Sequence, residues 1–483
     1  MDPVITGSLV SAGTQLVTTW LRNRSQSKAA EKAADFERWL HQDEKQFQKE
    51  QFEAEKQFQR EMALERYQEQ LSLAVVHRST ALDSVEWRAA LENFPLRILP
   101  SQILESYSRY TSRDTPMPLL VLLAPPEVSF DRFLDRSSTL PFSERTIAEV
   151  VRRFVACYED LQHPIKFLAG GWDSKRYHGE AAFETLFALL GSVPTLIVES
   201  EIDGRYFNLR AAFWDIGQTE PAVSSVISHL DCQKLLNEAA RADARQWAAD
   251  RERYAARGRG EEEILQIGGD DERNLRTLRE EELDRDAGIL RARSYAIGDK
   301  QWERLFQQIG GAYALIVGCL TDVYHLQNRG VMPRLPAMLP NWEGGGLLNA
   351  DVARFLASCY ELVFKSLGEQ IPNWMPDLYL NVAIGFAGLP EASETSRFLR
   401  NALEHWLRLR GFTIDEEDDL VSLVLANAGV KDRPWLRGVR GCLEAIGDHS
   451  QAVEIEGRLD EWQNKLLTGG IEEDERGEVL VTF

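Results

Sequence analysis

EKQFQKE (Glu44–Glu50) is followed, at an offset of eleven residues, by EKQFQRE (Glu55–Glu61). The repeat puts Phe36, Phe47 and Phe58 in one register. Eleven residues make three turns at about 3.67 residues per turn, close to the natural 3.6, so the rings form a nearly straight stripe. From Ser25 to Val75 there is no glycine or proline, and Glu, Gln, Lys and Ala dominate. These are strong helix formers, and residues 26–78 are expected to form one long helix. A stripe this narrow cannot fold back into a core alone, and leaving a row of phenylalanines in water invites aggregation. The pattern calls for a partner, most simply another copy of the chain.

Upstream lies an uncharged apolar run, Val4–Leu21, introduced by Asp2-Pro3 as a helix start. Ile5, Leu9, Leu16 and Trp20 fall on one face of this expected helix (residues 1–25), with threonines and serines opposite. Residues 3–21 would measure about 28 Å, marginal for a bilayer core of roughly 30 Å. The segment is expected to serve assembly, with membrane contact as the sharper alternative. Basic residues Arg22, Arg24 and Lys28 follow the run rather than precede it, which is not the order of a secretory signal.

The whole chain has 483 residues, 44% hydrophobic and 27% charged, with a net charge of −21. That composition suits a globular protein with a substantial core. An acidic surface repels nucleic acid at long range, which argues against it as a partner. The five cysteines are far apart and never form C-x-x-C. Each sits in an apolar helical context and reads as a small core residue, and the chain reads as cytoplasmic, with membrane association through residues 3–21 left open.

Residues 79–256 read as an α/β domain. LLVLLA (Leu119–Ala124) and Pro164–Leu168 are short apolar strands, and Thr195–Glu201 and Arg205–Trp214 form a hairpin around Asp203-Gly204. Helices are expected at Ser143–Tyr158, Gly179–Leu190 and Ser225–Ala256. Residues 257–297 are dominated by charge and read as a linker or a solvated helix. Residues 298–468 read as an all-helical domain, and 469–483 as an acidic tail ending in the β-prone VLVTF. The expected fold class is therefore α+β, mostly α.

The strongest candidate for chemistry is the loop AGGWDSKRYHGE, Ala169–Glu180, between an expected strand and helix, where α/β folds place ligands. Asp173, His178 and Glu180 are its candidate catalytic residues. It lacks the G-K-[S/T] of a phosphate loop and the third glycine of a dinucleotide fingerprint. A polar surface turn with a tryptophan plug is the blander reading. Asp322 and His325 stand three apart on an expected helix and could share a metal, but the sequence offers no further ligand nearby. Nothing in the sequence calls for a metal or a cofactor.

Two functional readings follow. The first is a non-enzymatic scaffold or membrane-proximal effector that oligomerises through its N-terminal helices and carries a body that docks a protein partner. This layout resembles that of membrane-acting or scaffold components of bacterial conflict and defence systems, without a motif that assigns a family. The second is a hydrolase or transferase using the Ala169–Glu180 loop.

Overall fold

The computed structural model describes residues 94–110, 116–124, 127–128, 140–173, 178–203, 205–266, 272–289, 291–341, 350–368, 371–387, 392–415, 418–467, 472–473 and 479–480. The expected helices at 1–25 and 26–78, with Ile5, Leu9, Leu16, Trp20, Phe36, Phe47 and Phe58, lie outside these residues. The described residues all belong to one compact unit, Ala63–Phe483. It is mostly helical and is built on one small mixed sheet.

The sheet contains β1 (Leu119–Leu123), β2 (Glu127–Val128), β3 (Ile165–Leu168), β4 (Thr195–Asp203), β5 (Tyr206–Trp214) and β6 (Ala222–Asp231). Its order is β3-β1-β4-β5-β6, with β2 paired to the end of β4. The β3-β1-β4 half and the β2–β4 pairing are parallel, and β4-β5-β6 is antiparallel. Parallel neighbours need crossovers, supplied by α2 (Leu140–Tyr158) and α3 (Glu180–Leu190). Strand β1 is apolar throughout because both faces of the sheet are covered. Leu120, Leu122, Ile197 and Trp214 pack with Ile103, Leu104 and Tyr107 of α1 (Pro100–Ser108) and with Phe183 and Leu186 of α3.

The opposite face is covered by α2 and by a helix later in sequence. Cysteine-led α4 (Cys232–Ala256) follows β6, then α5 (Glu261–Leu265), α6 (Glu272–Asp286) and α7 (Asp299–Arg329). Helix α7 packs along α2 and against β1 and β4. It is the one described helix long and apolar enough to cross a membrane, yet its apolar window is wholly buried within the protein. Two glycines set how closely it approaches α2. A Cβ at Gly310 would lie 2.9 Å from Val150 Cβ, and one at Gly318 would lie 2.7 Å from the Phe154 ring. The helical segment and the sheet thus share a core through α7.

Beyond α7 come α8 (Leu335–Met338), α9 (Ala350–Leu367), α10 (Met375–Phe386), α11 (Ala392–Arg408), α12 (Leu420–Asn427), α13 (Arg433–Ile446) and α14 (His449–Leu467). Helix α9 packs on α7 and β6, while α10, α11, α13 and α14 pack on one another. The rings of Phe364, Tyr379 and Phe398 meet where α9, α10 and α11 join, Phe364 lying 5.0 Å from Tyr379. In the tail, Glu472–Glu473 and Val479–Leu480 pair as the short antiparallel strands β7 and β8.

Three details differ from the sequence expectations. Residues 225–231, read as the start of a helix, complete strand β6; Val226 and Ile227 are buried there, and the helix begins at Cys232 behind the Asp231 cap. The charged stretch 257–297, read as a linker or a solvated helix, carries the largely exposed helix α6, which is anchored by buried Asn274, Leu275 and Leu278. Its extended end is clipped twice by side-chain amides. Asn274 bonds both the N–H and the C=O of Ala296, at 2.7 and 2.9 Å, while Asn237 accepts from the Tyr295 N–H at 2.7 Å and donates to the Arg293 carbonyl at 3.1 Å. Arg293 is held by Asp284 and Glu280. Finally, Cys157 is exposed on α2 and Cys359 is only partly buried, so two of the five cysteines are not core residues.

The close approach of α2 and α7 gives a test. Gly318→Val forces two branches against Phe154 and should destabilise by about 1–3 kcal/mol, read as a lower urea midpoint. Gly457→Ala, in α14 where an added methyl meets nothing, should be neutral or stabilising by up to about 1 kcal/mol.

Candidate functional site

The Ala169–Glu180 loop leaves the end of β3 through Gly170, whose φ of +66° lies in the left-handed region. It is tied to the start of the described chain. The Arg97 N–H donates to the Gly171 carbonyl at 2.8 Å, and the Asp173 N–H donates to Pro95 at 2.7 Å. Trp172 bridges to Leu96 and is buried among the core side chains between the sheet, α1 and α3. The tryptophan plug of the bland reading is present.

His178 lies beside this indole, with ring centroids 5.9 Å apart. Its Nδ1 is 3.4 Å from Oε1 of Glu199, a fully buried carboxylate on β4. The same oxygen accepts the Gly179 N–H at 2.7 Å. Glu199 stands directly opposite Arg210 in the β4–β5 pairing, and the guanidinium lies 3.6 Å from Oε2 and 3.4 Å from Glu201. His178 Nδ1, Glu199 Oε2 and Trp172 Nε1 are all buried without a hydrogen-bond partner. The cluster sits at the C-terminal end of parallel strands, where connections in α/β folds leave a crevice.

The three sequence candidates do not converge. Glu180 is exposed in the first turn of α3. Asp173 is half-buried, with its backbone engaged by Pro95. The polar and ring contacts of His178 among the described residues are with Glu199 and Trp172. A carboxylate behind an imidazole fixes the tautomer and supports a base. Ser200, the next residue of β4, lies on the opposite face of the strand. Glu199 and Arg210 were missed in the sequence. Their pairing follows from the hairpin, because the Asp203↔Tyr206 closure carries Glu199 to Arg210.

A second polar cluster surrounds Asp322, which is fully buried on α7. Its Oδ1 accepts from the Tyr158 hydroxyl and from the Arg334 N–H at 2.7 Å. Its Oδ2 accepts from the Leu335 N–H at 2.9 Å and the Tyr360 hydroxyl at 2.6 Å. Burial raises the carboxyl pKa, and the bonds from Tyr158, Tyr360 and Arg334 oppose that rise. Both phenols are pushed well above their usual range, first by burial and then by the carboxylate they bond. His163 stands on the near side, its Nδ1 3.1 Å from Asp160 and its Nε2 3.0 Å from the Met332 carbonyl.

His325 does not join Asp322 in a ligand pair. Its Nε2 lies 3.2 Å from the Pro164 carbonyl, which fixes the proton on that nitrogen, and its ring packs edge-on to Tyr324 and His163. Among the described residues, no group of three or more His, Cys, Asp or Glu side chains is placed to hold a metal ion. Asp322 is committed to four donors, so the cluster reads as a joint between helices.

No family model, curated protein or solved structure matches the chain.

The polar joint makes two predictions. Asp322→Ala leaves the Tyr360 hydroxyl and two backbone N–H groups without an acceptor, and Tyr158 with only its longer bond to the Gly318 carbonyl, and should cost about 3–5 kcal/mol, read by chemical denaturation. The second concerns acid. Burial, and then His163, lower the His325 pKa to about 3 from a usual 6.5. The unfolded chain therefore takes a proton that the folded one refuses. The contribution of His325 to stability is full above about pH 6.5 and declines as pH falls towards 3. His325→Gln should flatten that part of the acid limb in melts taken from pH 7 to pH 4.

Proposed function

We propose that this chain is a non-catalytic assembly protein. Copies associate through the segments at 1–25 and 26–78, and the body over residues 94–467 docks a protein partner. The observation that carries the reading is the eleven-residue repeat, which lines Phe36, Phe47 and Phe58 along one face of a strut and leaves them to be covered from outside. The body supports it by what it does with its polar residues. Asp173, His178 and Glu180 are not gathered around one point, and Asp322 is saturated by structural bonds. Membrane contact through residues 3–21 belongs to the same proposal. So does a place in a bacterial defence or conflict system, supported by the resemblance in layout.

The second reading, a hydrolase or transferase, is kept for one observation. The His178–Glu199 pair, with Glu199 in the middle of β4, has the polarity of a base and its orienting acid.

Deleting residues 1–25, and separately replacing Phe36, Phe47 and Phe58 together by serine, tests the assembly. Light scattering on the full chain should give a multiple of 54.9 kDa. Both variants should fall towards the mass of a single subunit, with far-ultraviolet dichroism confirming that they remain folded. A full chain that is already monomeric, or variants with unchanged mass, would overturn the proposal.

A further inference from the structure

Helices α7 and α9 lie side by side, and each brings a thiol to the interface. Cys319 is buried in α7, with its Sγ 3.8 Å from the carbonyl of Leu356, in the turn of α9 that precedes Cys359. Cys359 lies one turn along α9 from that carbonyl, near enough to Cys319 to help raise its pKa. Cys359 is partly exposed, so a small oxidant can reach it while Cys319 waits behind it. Cys157, Cys232 and Cys442 sit on α2, α4 and α13.

We propose that Cys319 and Cys359 are a redox pair that a small disulfide such as glutathione disulfide converts into an intramolecular cystine, tying α7 to α9. Cys359, as thiolate, attacks one sulfur of the oxidant. A Cys359–glutathione bond forms, the oxidant's S–S bond breaks, and one glutathione leaves as thiol after taking a proton. The Cys319 sulfur then attacks the Cys359 sulfur. The Cys319–Cys359 bond forms and the second glutathione leaves, carrying the Cys319 proton. Two protein thiols are oxidised, and one glutathione disulfide is reduced to two glutathiones. Burial, with Cys359 beside it, holds the Cys319 thiol well above its usual range, which makes it the partner in the second step rather than the first.

The bond would form next to the polar joint. Tyr360 follows Cys359 and donates to Asp322, which lies one turn beyond Cys319 on α7. Oxidation would thus fix α9 where it already contributes a buried hydrogen bond. A cross-link between these helices also restricts the unfolded chain.

The test uses the full chain. Protein is incubated with glutathione disulfide, free thiols are blocked with N-ethylmaleimide, and tryptic peptides are analysed by mass spectrometry without reduction. Peptides 305–329 and 355–365, which carry Cys319 and Cys359, should appear linked, lacking two hydrogens relative to the sum of the free peptides. The Cys157→Ser variant should give the same link, and Cys359→Ser should leave Cys319 unmodified. The linked protein should melt at a higher temperature than the reduced one. A stable glutathione adduct at Cys359 without the linked peptides would overturn the proposal, as would oxidation confined to Cys157. A linked form that melts no higher than the reduced protein would overturn the tying of the helices.

Discussion

Asp322 places a carboxylate at a point where four pieces of chain meet, and the body depends on its being satisfied. Removing an ion of this size from water costs several kcal/mol even after relaxation. The offset comes from two hydroxyls, one on α2 and one on α9, and from two backbone N–H groups at the entry to α8. None of these donors is close to Asp322 in sequence. Their convergence requires α2 to lie hard against α7, which the bare backbone at Gly310 and Gly318 permits. Tyr158 uses the same approach twice, bonding the Gly318 carbonyl at 3.2 Å as well as Asp322. Close packing and polar satisfaction are therefore one constraint here. If α2 moved away, α7 would keep a buried charge short of a donor.

This constraint also explains what could be read from the chain and what could not. LLVLLA announced β1 because a strand covered on both faces is apolar without alternation, and Asp203-Gly204 announced the β4–β5 hairpin because few residues tolerate such a turn. The long α7 was legible from its spacing. Its role was not, since periodicity shows that a face is buried without showing what buries it. Strand β6 was lost for a related reason. Its full burial is confined to Val226 and Ile227, with exposed serines on either side, so the following helix pattern ran on into it. Charge alone left the stretch 257–297 open between a linker and a solvated helix, and showed nothing of its anchoring. Buried Asn274 there, and half-buried Asn237 on α4, replace the backbone ladder of a sheet, and an Asn in a charged run gives no sign of that use.

The candidate site was half legible. The loop after β3 could be placed by the strand-to-helix pattern, and His178 stands where that pattern puts it. Its partner could have been counted from the hairpin, because the Asp203↔Tyr206 closure sets Glu199 across from Arg210. Counting fixes a register but not a depth, and only the folded sheet shows that Glu199 is sealed from water. The candidates Asp173 and Glu180 failed for the opposite reason. Neighbours in sequence at the mouth of a helix diverge by about 100° per residue once the helix begins, so closeness along the loop does not become closeness in space.

The surface of the body bears on the proposed self-association. Among the described residues, its most exposed large apolar side chains are Leu161 before β3, Leu283 on α6, Leu362 on α9 and Val453 on α14. These sit on separate elements and are the scattered kind that any soluble surface carries. The sequence of residues 36–58 is different in kind, since it repeats one aromatic position at a fixed period. A fixed period is of little use to a helix that packs on an irregular globular surface, where contacts fall at irregular intervals. It serves a helix whose partner presents the same spacing, and the simplest partner with the same spacing is an identical chain. On that argument the proposed assembly asks nothing of the body's surface, and the polar cluster at Asp322 serves to hold the body's own helices in place.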